Sequence, residues 1–226
     1  MSSTTVQPAP SLQPAPSVQP APTRRPASST KTVIVDAAVE NFQSRGYHGT
    51  SIRDIARGAD MTPASIYHHF ASKQQILQHI MEQVLKQAIS DTNSALMMVG
   101  RSPEDQLVAV VTAWVLYHTE HRALALIGAS EIRSLDDVGL RIVVSLRDQQ
   151  QQIFQGVIAR GVAEGAFTTP YPTQAAMAII NMGSSISSWY RADGELTADE
   201  LAQRYAALAL GTVGAHRTRL SKGTER

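Results

Sequence analysis

From Thr30 onward the apolar residues recur every three or four positions, and no stretch alternates with the strand period. Ile34, Ala37, Ala38 and Phe42 share one face of a first helix, and Gly46 stands where a left-handed residue closes it. Thr50 or Ser51 can cap a second helix, whose Ile52, Ile55, Ala56 and Ala59 fall at helical spacing. Thr62 caps a third, with Pro63 in its first turn, where a missing N–H costs nothing. Ser72 and Gln75 form a capping box for a long fourth helix that turns Leu77, Ile80, Val84, Leu85 and Ala88 inward.

Ser102-Pro103-Glu104-Asp105 opens a fifth helix bearing Leu107, Val110, Val111 and Trp114. Further helices are predicted over 123–134, 138–164, 173–191 and 197–216, the last opened by a Thr197/Glu200 capping box. Gly165 and Pro170-Tyr171-Pro172 punctuate between them. The pattern predicts an all-α protein of nine helices, a three-helix head followed by a larger helical body.

The first 22 residues differ in kind. They repeat VQPAPS, LQPAPS and VQPAPT without a charge, and proline at that density forbids helix and ladder alike. A disordered or polyproline II tail over 1–27 follows, serving as a spacer or as a ligand for a groove. Arg24 and Arg25 after it suit a solvated tail or an arm that touches phosphate. The remaining boundaries are a head over 28–88 with its central motif at 51–70, a body over 89–216, and a flexible tail over 217–226.

Charge sharpens the division. The chain of 226 residues carries a net +1, but residues 24–73 hold seven Lys and Arg against four Asp and Glu, a balance of +3. The rest balances at −2, so the head is the part suited to a polyanion. There is no Cys, which excludes disulfides and thiolate chemistry and fits a reducing cytoplasm. No run of about 18 apolar residues suggests a membrane span. No G-x-S-x-G elbow, Walker loop or H-E-x-x-H motif occurs, so neither an enzyme nor a cofactor is expected. His118 and His121 share a helix face but lack a third metal ligand nearby.

The second and third helices are joined by a few residues only, the sequence form of a helix-turn-helix. In that motif the second helix enters the major groove of double-stranded DNA. Ala64 and Ser65 are small enough for close approach, Tyr67 and His68 lie toward the phosphate walls, and Lys73 reaches another phosphate. Ser51, Thr62 and Pro63 sit at helix starts whose free N–H groups favour phosphate. Tyr67 and His69 also suit packing within the head.

The stretch from Ala37 to Leu77 resembles the TetR family of bacterial regulators. The likeness is carried by Phe42, Gly46-Tyr47, Thr50-Ser51, Ile55-Ala56, Ile66-Tyr67, His69-Phe70 and Lys73. One position departs: Asp60 stands where the family's turn usually has Gly, and Asp tolerates the left-handed region better than most residues. The resemblance implies a homodimer paired through small-residue stripes of its last two helices, around Ala176, Ile180, Gly183, Ala206 and Leu210, two heads about 34–36 Å apart on DNA, and an effector pocket in the body.

It also implies that Trp114, Tyr117 and His118 of the fifth helix line that pocket. The region from Glu164 to Ala206 looks like regulators that answer to acyl-CoA thioesters, with Arg147, Trp189 and Arg191 as candidates for phosphate and adenine. The same residues suit packing or surface pairing. The expected function is a repressor released by a hydrophobic effector. The rivals are a DNA-binding factor without an effector, and a CoA-thioester-binding enzyme.

Overall fold

The computed structural model describes residues 29–215. The 1–27 repeat, Arg24 and Arg25, and the 217–226 tail lie outside the described residues. Within them the order is α1 (Thr30–Arg45), α2 (Ile52–Gly58), α3 (Pro63–Tyr67), α4 (Lys73–Met98), α5 (Pro103–Glu120), α6 (Arg122–Ser130), a 3-10 turn (Ile132–Ser134), α7 (Asp137–Ala163), α8 (Pro172–Ser184), α9 (Ile186–Trp189) and α10 (Ala198–Thr212). No strand occurs among the described residues.

Most boundaries follow from local caps. The side chains of Ser51, Thr62, Ser72, Ser102 and Thr197 each accept from the backbone N–H three residues on. Thr50 does not cap. It is buried, and its hydroxyl donates to the Asn41 and Gly46 carbonyls at 3.1 and 2.9 Å. The Ser72 box closes one residue early, with Gln75 Oε1 accepting from Ala71 N at 2.6 Å. Gly46 has φ 71° but ψ 164°, outside the left-handed helical region and in one open essentially to glycine alone. Asp60 takes φ 54°, so the departure from the family's Gly keeps the turn.

The helix expected over 173–191 breaks at Ser185. The hydroxyls of Ser185, Ser187 and Ser188 turn back onto the carbonyls of Met182, Ser184 and Ser185 at 2.8, 3.0 and 2.6 Å. Such back-bonding competes with the helical ladder and bends it. With α8 and α9 taken as one bent helix, the described residues hold nine α-helices, as expected, and the 3-10 turn is additional.

α5 runs through the middle of the body, packed on α4, α7, α8 and α10. Leu107, Val110, Val111, Trp114 and Val115 are buried there, and Phe154 of α7 meets Trp114 edge-on at 6.1 Å. Gly161 is small for a reason: a Cβ on it would lie 2.2 Å from the Phe167 ring, which folds back over α7. α4 starts in the head and ends in the body without a break, crossing the 88–89 boundary. A shift of α4 therefore moves both.

Candidate functional site

The head's packing decides which face of α3 is free. Ile66 and Phe70 are buried, in the same core as Ile34, Phe42 and Ile55. The opposite face, with Thr62, Pro63, Ala64, Tyr67 and His68, lies in solvent, and Tyr67 is 55% exposed. Ser65 is half-buried, its hydroxyl 2.9 Å from that of Thr62. Ser51 is exposed at the start of α2, where it closes a capping box with Asp54. This is a helix-turn-helix with its second helix presented and its first braced behind.

Lys73 stands apart from that face. Its ammonium donates to the Tyr47 and Thr50 carbonyls at 2.7 Å each and lies 4.1 Å from the centre of the Tyr47 ring. Burial lowers its pKa from the ordinary 10.5. Its first task is to fasten α4 to the α1–α2 turn, leaving one donor of the three for a phosphate. The turn is fastened a second time where the Tyr47 hydroxyl donates to Gln74 Oε1 at 2.7 Å.

The body reaches the same turn from the other side. Ser134, in the 3-10 turn after α6, donates its only hydroxyl proton to Glu131 Oε2 at 2.9 Å. Its oxygen must then accept the bond from His48 Nε2, at 3.2 Å. Sequence reasoning did not find this joint, because a lone His and a lone Ser 86 positions apart give no local signal.

Above it the body encloses a cavity of about 360 Å³ between α4, α5, α6, α7 and α8. Met81, Val84, Leu85 and Val143 give it an apolar wall, and Trp114, Tyr117, His118 and Arg147 join them. Four of the six effector candidates thus meet in one place. Arg147 is exposed, and its guanidinium donates to the Gly128 carbonyl at 2.9 Å, clipping α7 to α6 beside the cavity. Ala125, Gly128 and Ala129 of α6 also line the cavity. They carry no functional groups, so the sequence could not mark them.

Trp189 and Arg191 are elsewhere. They border a separate surface depression with Thr119, Arg122 and Tyr190, where Arg191 pairs with Asp193 at 3.1 Å and Trp189 stacks on Tyr205. The break at Ser185 separates them from α8's cavity-facing side.

His118 is 5% exposed, and its Nδ1 lies 2.8 Å from the Trp114 carbonyl. A carbonyl only accepts, so Nδ1 carries the proton and Nε2 is left as a lone-pair acceptor. Burial pushes its pKa from the ordinary 6.5 down to about 4. Above pH 6.5 the group is neutral folded and unfolded; between 6.5 and 4 the unfolded chain takes the proton first. Stability is therefore full above pH 6.5 and falls as pH drops toward 4, by up to about 3 kcal/mol from this group. Urea denaturation at pH 7.0 and 4.5 should show the fall, and His118→Phe should reduce its pH dependence.

Residues 100–213 match the family model described as the tetracyclin repressor-like C-terminal domain. Residues 34–80 match that of the bacterial regulatory proteins of the tetR family. The chain belongs to the TetR family. Among TetR relatives, it is 29% identical over 195 residues to the HTH-type transcriptional repressor KstR2 of Mycolicibacterium smegmatis, across 82% of this chain and 91% of that one. A solved tetR-family regulator from Rhodococcus RHA1 has a TM-score of 0.79 at 31% identity, covering 84% of this chain and 100% of the other. KstR2 of Mycobacterium tuberculosis, described as a ketosteroid transcriptional regulator, has a TM-score of 0.75 at 25% identity, with 84% and 98% covered. The protein is thus a TetR-type DNA-binding transcriptional regulator and not an enzyme. No described helix is long and apolar enough to cross a membrane.

Proposed function

We propose that the protein is a homodimeric repressor whose two α3 helices read an operator, and that a small apolar effector in the body cavity releases it. The observation that carries this reading is that the cavity's walls continue into the head. α4 does so directly. α6 does so through the Glu131–Ser134–His48 joint. An occupant that parts α6 from α4 would rotate the heads, so that the two α3 helices no longer match successive grooves. Ser51, Thr62, Pro63, Ala64, Ser65, Tyr67 and His68 carry the DNA contact, and Lys73 adds a phosphate contact to its structural task. The DNA target makes the cytoplasm its place of work.

The dimer surface is the outer side of α8 and α10. Met177 and Leu208 are 45% and 54% exposed there, beside Ala178, Ala207 and Gly211, which are also exposed. Small residues at such positions allow close helix approach.

For the effector, Trp114, Tyr117 and His118 hold the apolar part and Arg147 takes an anionic end at the mouth. The cavity, about 360 Å³, is near the lower end of the usual range for ligand sites. It suits an acyl or small-ring body, with any CoA nucleotide outside beside Arg147. The likeness to acyl-CoA-responsive regulators and to a ketosteroid regulator supports an effector of this kind.

The test is a titration of the protein–operator complex, using DNA upstream of its own coding region, with decanoyl-CoA and decanoic acid. Release by the thioester, and a response weakened about tenfold in Arg147→Ala, is expected. Equal release by the acid and the thioester would remove the CoA part, and no release by any apolar ligand would favour a regulator without an effector.

A further inference from the structure

Two nearly buried residues that line the effector cavity each carry a polar atom that nothing in the protein uses. Tyr117 and His118 are 4% and 5% exposed, and both line the cavity. Among the described residues, neither the Tyr117 hydroxyl nor His118 Nε2 has a hydrogen-bond partner, although every fully buried side-chain N or O has one. Neither atom is therefore sealed off from open space, and both residues line the cavity. Buried polar groups left in this way favour a ligand that completes them.

Their polarity is also fixed. The Trp114 carbonyl 2.8 Å away holds the proton on Nδ1, so Nε2 offers a lone pair. Burial keeps the imidazole neutral near pH 7, with a pKa of about 4. The phenol, whose ring centre is 5.5 Å from that of His118, can donate or accept. No Asp or Glu lines the cavity and Arg147 does, so the lining offers a cationic donor no carboxylate.

We propose that the cavity selects an effector whose apolar body carries a hydroxyl group, donated to His118 Nε2, over the matching ketone. A carbonyl oxygen at that position would face the imidazole lone pair and leave it unsatisfied. This rests on the cavity being the effector site. A site that hydrogen-bonds a hydroxyl binds the matching ketone of the same shape less tightly, because its acceptor is then left unpaired.

Calorimetric titration of the full chain with 2-decalol, 2-decalone and decalin tests it. The alcohol is expected to bind at least about tenfold more tightly than the ketone, and in His118→Phe the preference should fall to within about twofold. Nitrogen NMR of His118 in the wild type, which requires no variant to fold, should show an unprotonated Nε2 whose shift responds to 2-decalol and not to decalin. Equal or tighter binding of the ketone by the wild type would overturn the proposal, as would a protonated Nε2 in the free protein. Failure of all three probes to bind would overturn it together with the cavity's role as effector site. Selective binding of the alcohol without release of DNA would uphold the selectivity and refute the regulatory reading alone.

Discussion

Gly183→Arg should unfold the protomer, whereas Leu208→Arg should leave it folded and split the dimer. Both positions lie on small-residue helices near the carboxy end, and the pattern alone treats them alike. Packing separates them. Gly183 is buried, and a Cβ there would stand 2.4 Å from Trp114 Cδ1, in an indole held by its N–H to the Ile180 carbonyl at 3.0 Å. An arginine would have to displace that ring and bury a charge without a partner, a loss of about 4 kcal/mol or more.

Leu208 is 54% exposed in the protomer, so its replacement should change protomer stability by no more than about 0.5 kcal/mol. In a two-fold pair it places charge at the contact on both sides, weakening the dimer by about 3 kcal/mol or more. Sedimentation read beside thermal melting checks both halves. A folded dimeric Gly183→Arg protein would contradict the packing, and a fully dimeric Leu208→Arg protein would put the interface elsewhere.

Ala64→Glu should abolish operator binding while leaving the head intact. Ala64 is exposed in the first turn of α3, one residue after Pro63. A carboxylate near a helix N-terminus is favourable to the helix by about 0.3–1 kcal/mol. The same carboxylate would face the phosphates and the groove floor that α3 approaches. A repulsion of several kcal/mol corresponds to an affinity loss of about a hundredfold or more. Fluorescence anisotropy on operator DNA measures the loss, and an unchanged melting curve assigns it to the face rather than the fold. Wild-type affinity in this variant would mean that α3 is not the reading helix.

These three variants also mark what could and could not be seen in the sequence. The helix starts were legible because a cap acts over three residues, as at Thr62, Ser102 and Thr197. The α3 face was legible because Ile66 and Phe70 fix which side is buried, leaving Tyr67 and His68 outside. The small residues Ala176, Gly183 and Ala206 read as a dimer stripe, because small size signals close packing without saying which partner is close. All three are buried inside the protomer, and the proposed dimer surface is instead formed by exposed neighbours such as Met177, Ala207 and Leu208.

Lys73 read as a phosphate contact because its reach back to Tyr47 spans 26 positions, beyond any local pattern. Trp189 and Arg191 read as effector candidates for phosphate and adenine, and the serine run that bends the chain after α8, which looks in sequence like continued helix, takes them away from the cavity. His118 was legible as a pocket residue. The state of its two nitrogens was not, since the Trp114 carbonyl that sets it becomes a partner only once the ring is packed.

The central claim is that the cavity governs the heads, and a blocked cavity tests it most directly. Gly128 lines the cavity, and a Cβ on it would meet nothing within 4 Å, so Gly128→Phe adds a ring where there is room for it. The measurement is release of the preformed protein–operator complex by decanoyl-CoA, followed by anisotropy for the wild type and for Gly128→Phe, each against its own ligand-free complex. A tenfold release corresponds to about 1.4 kcal/mol of differential affinity between the DNA-bound and free forms. The account predicts that the wild type lets go of its operator and that Gly128→Phe stays bound at the concentration that frees half of the wild type. Release of both proteins at the same concentration would contradict it.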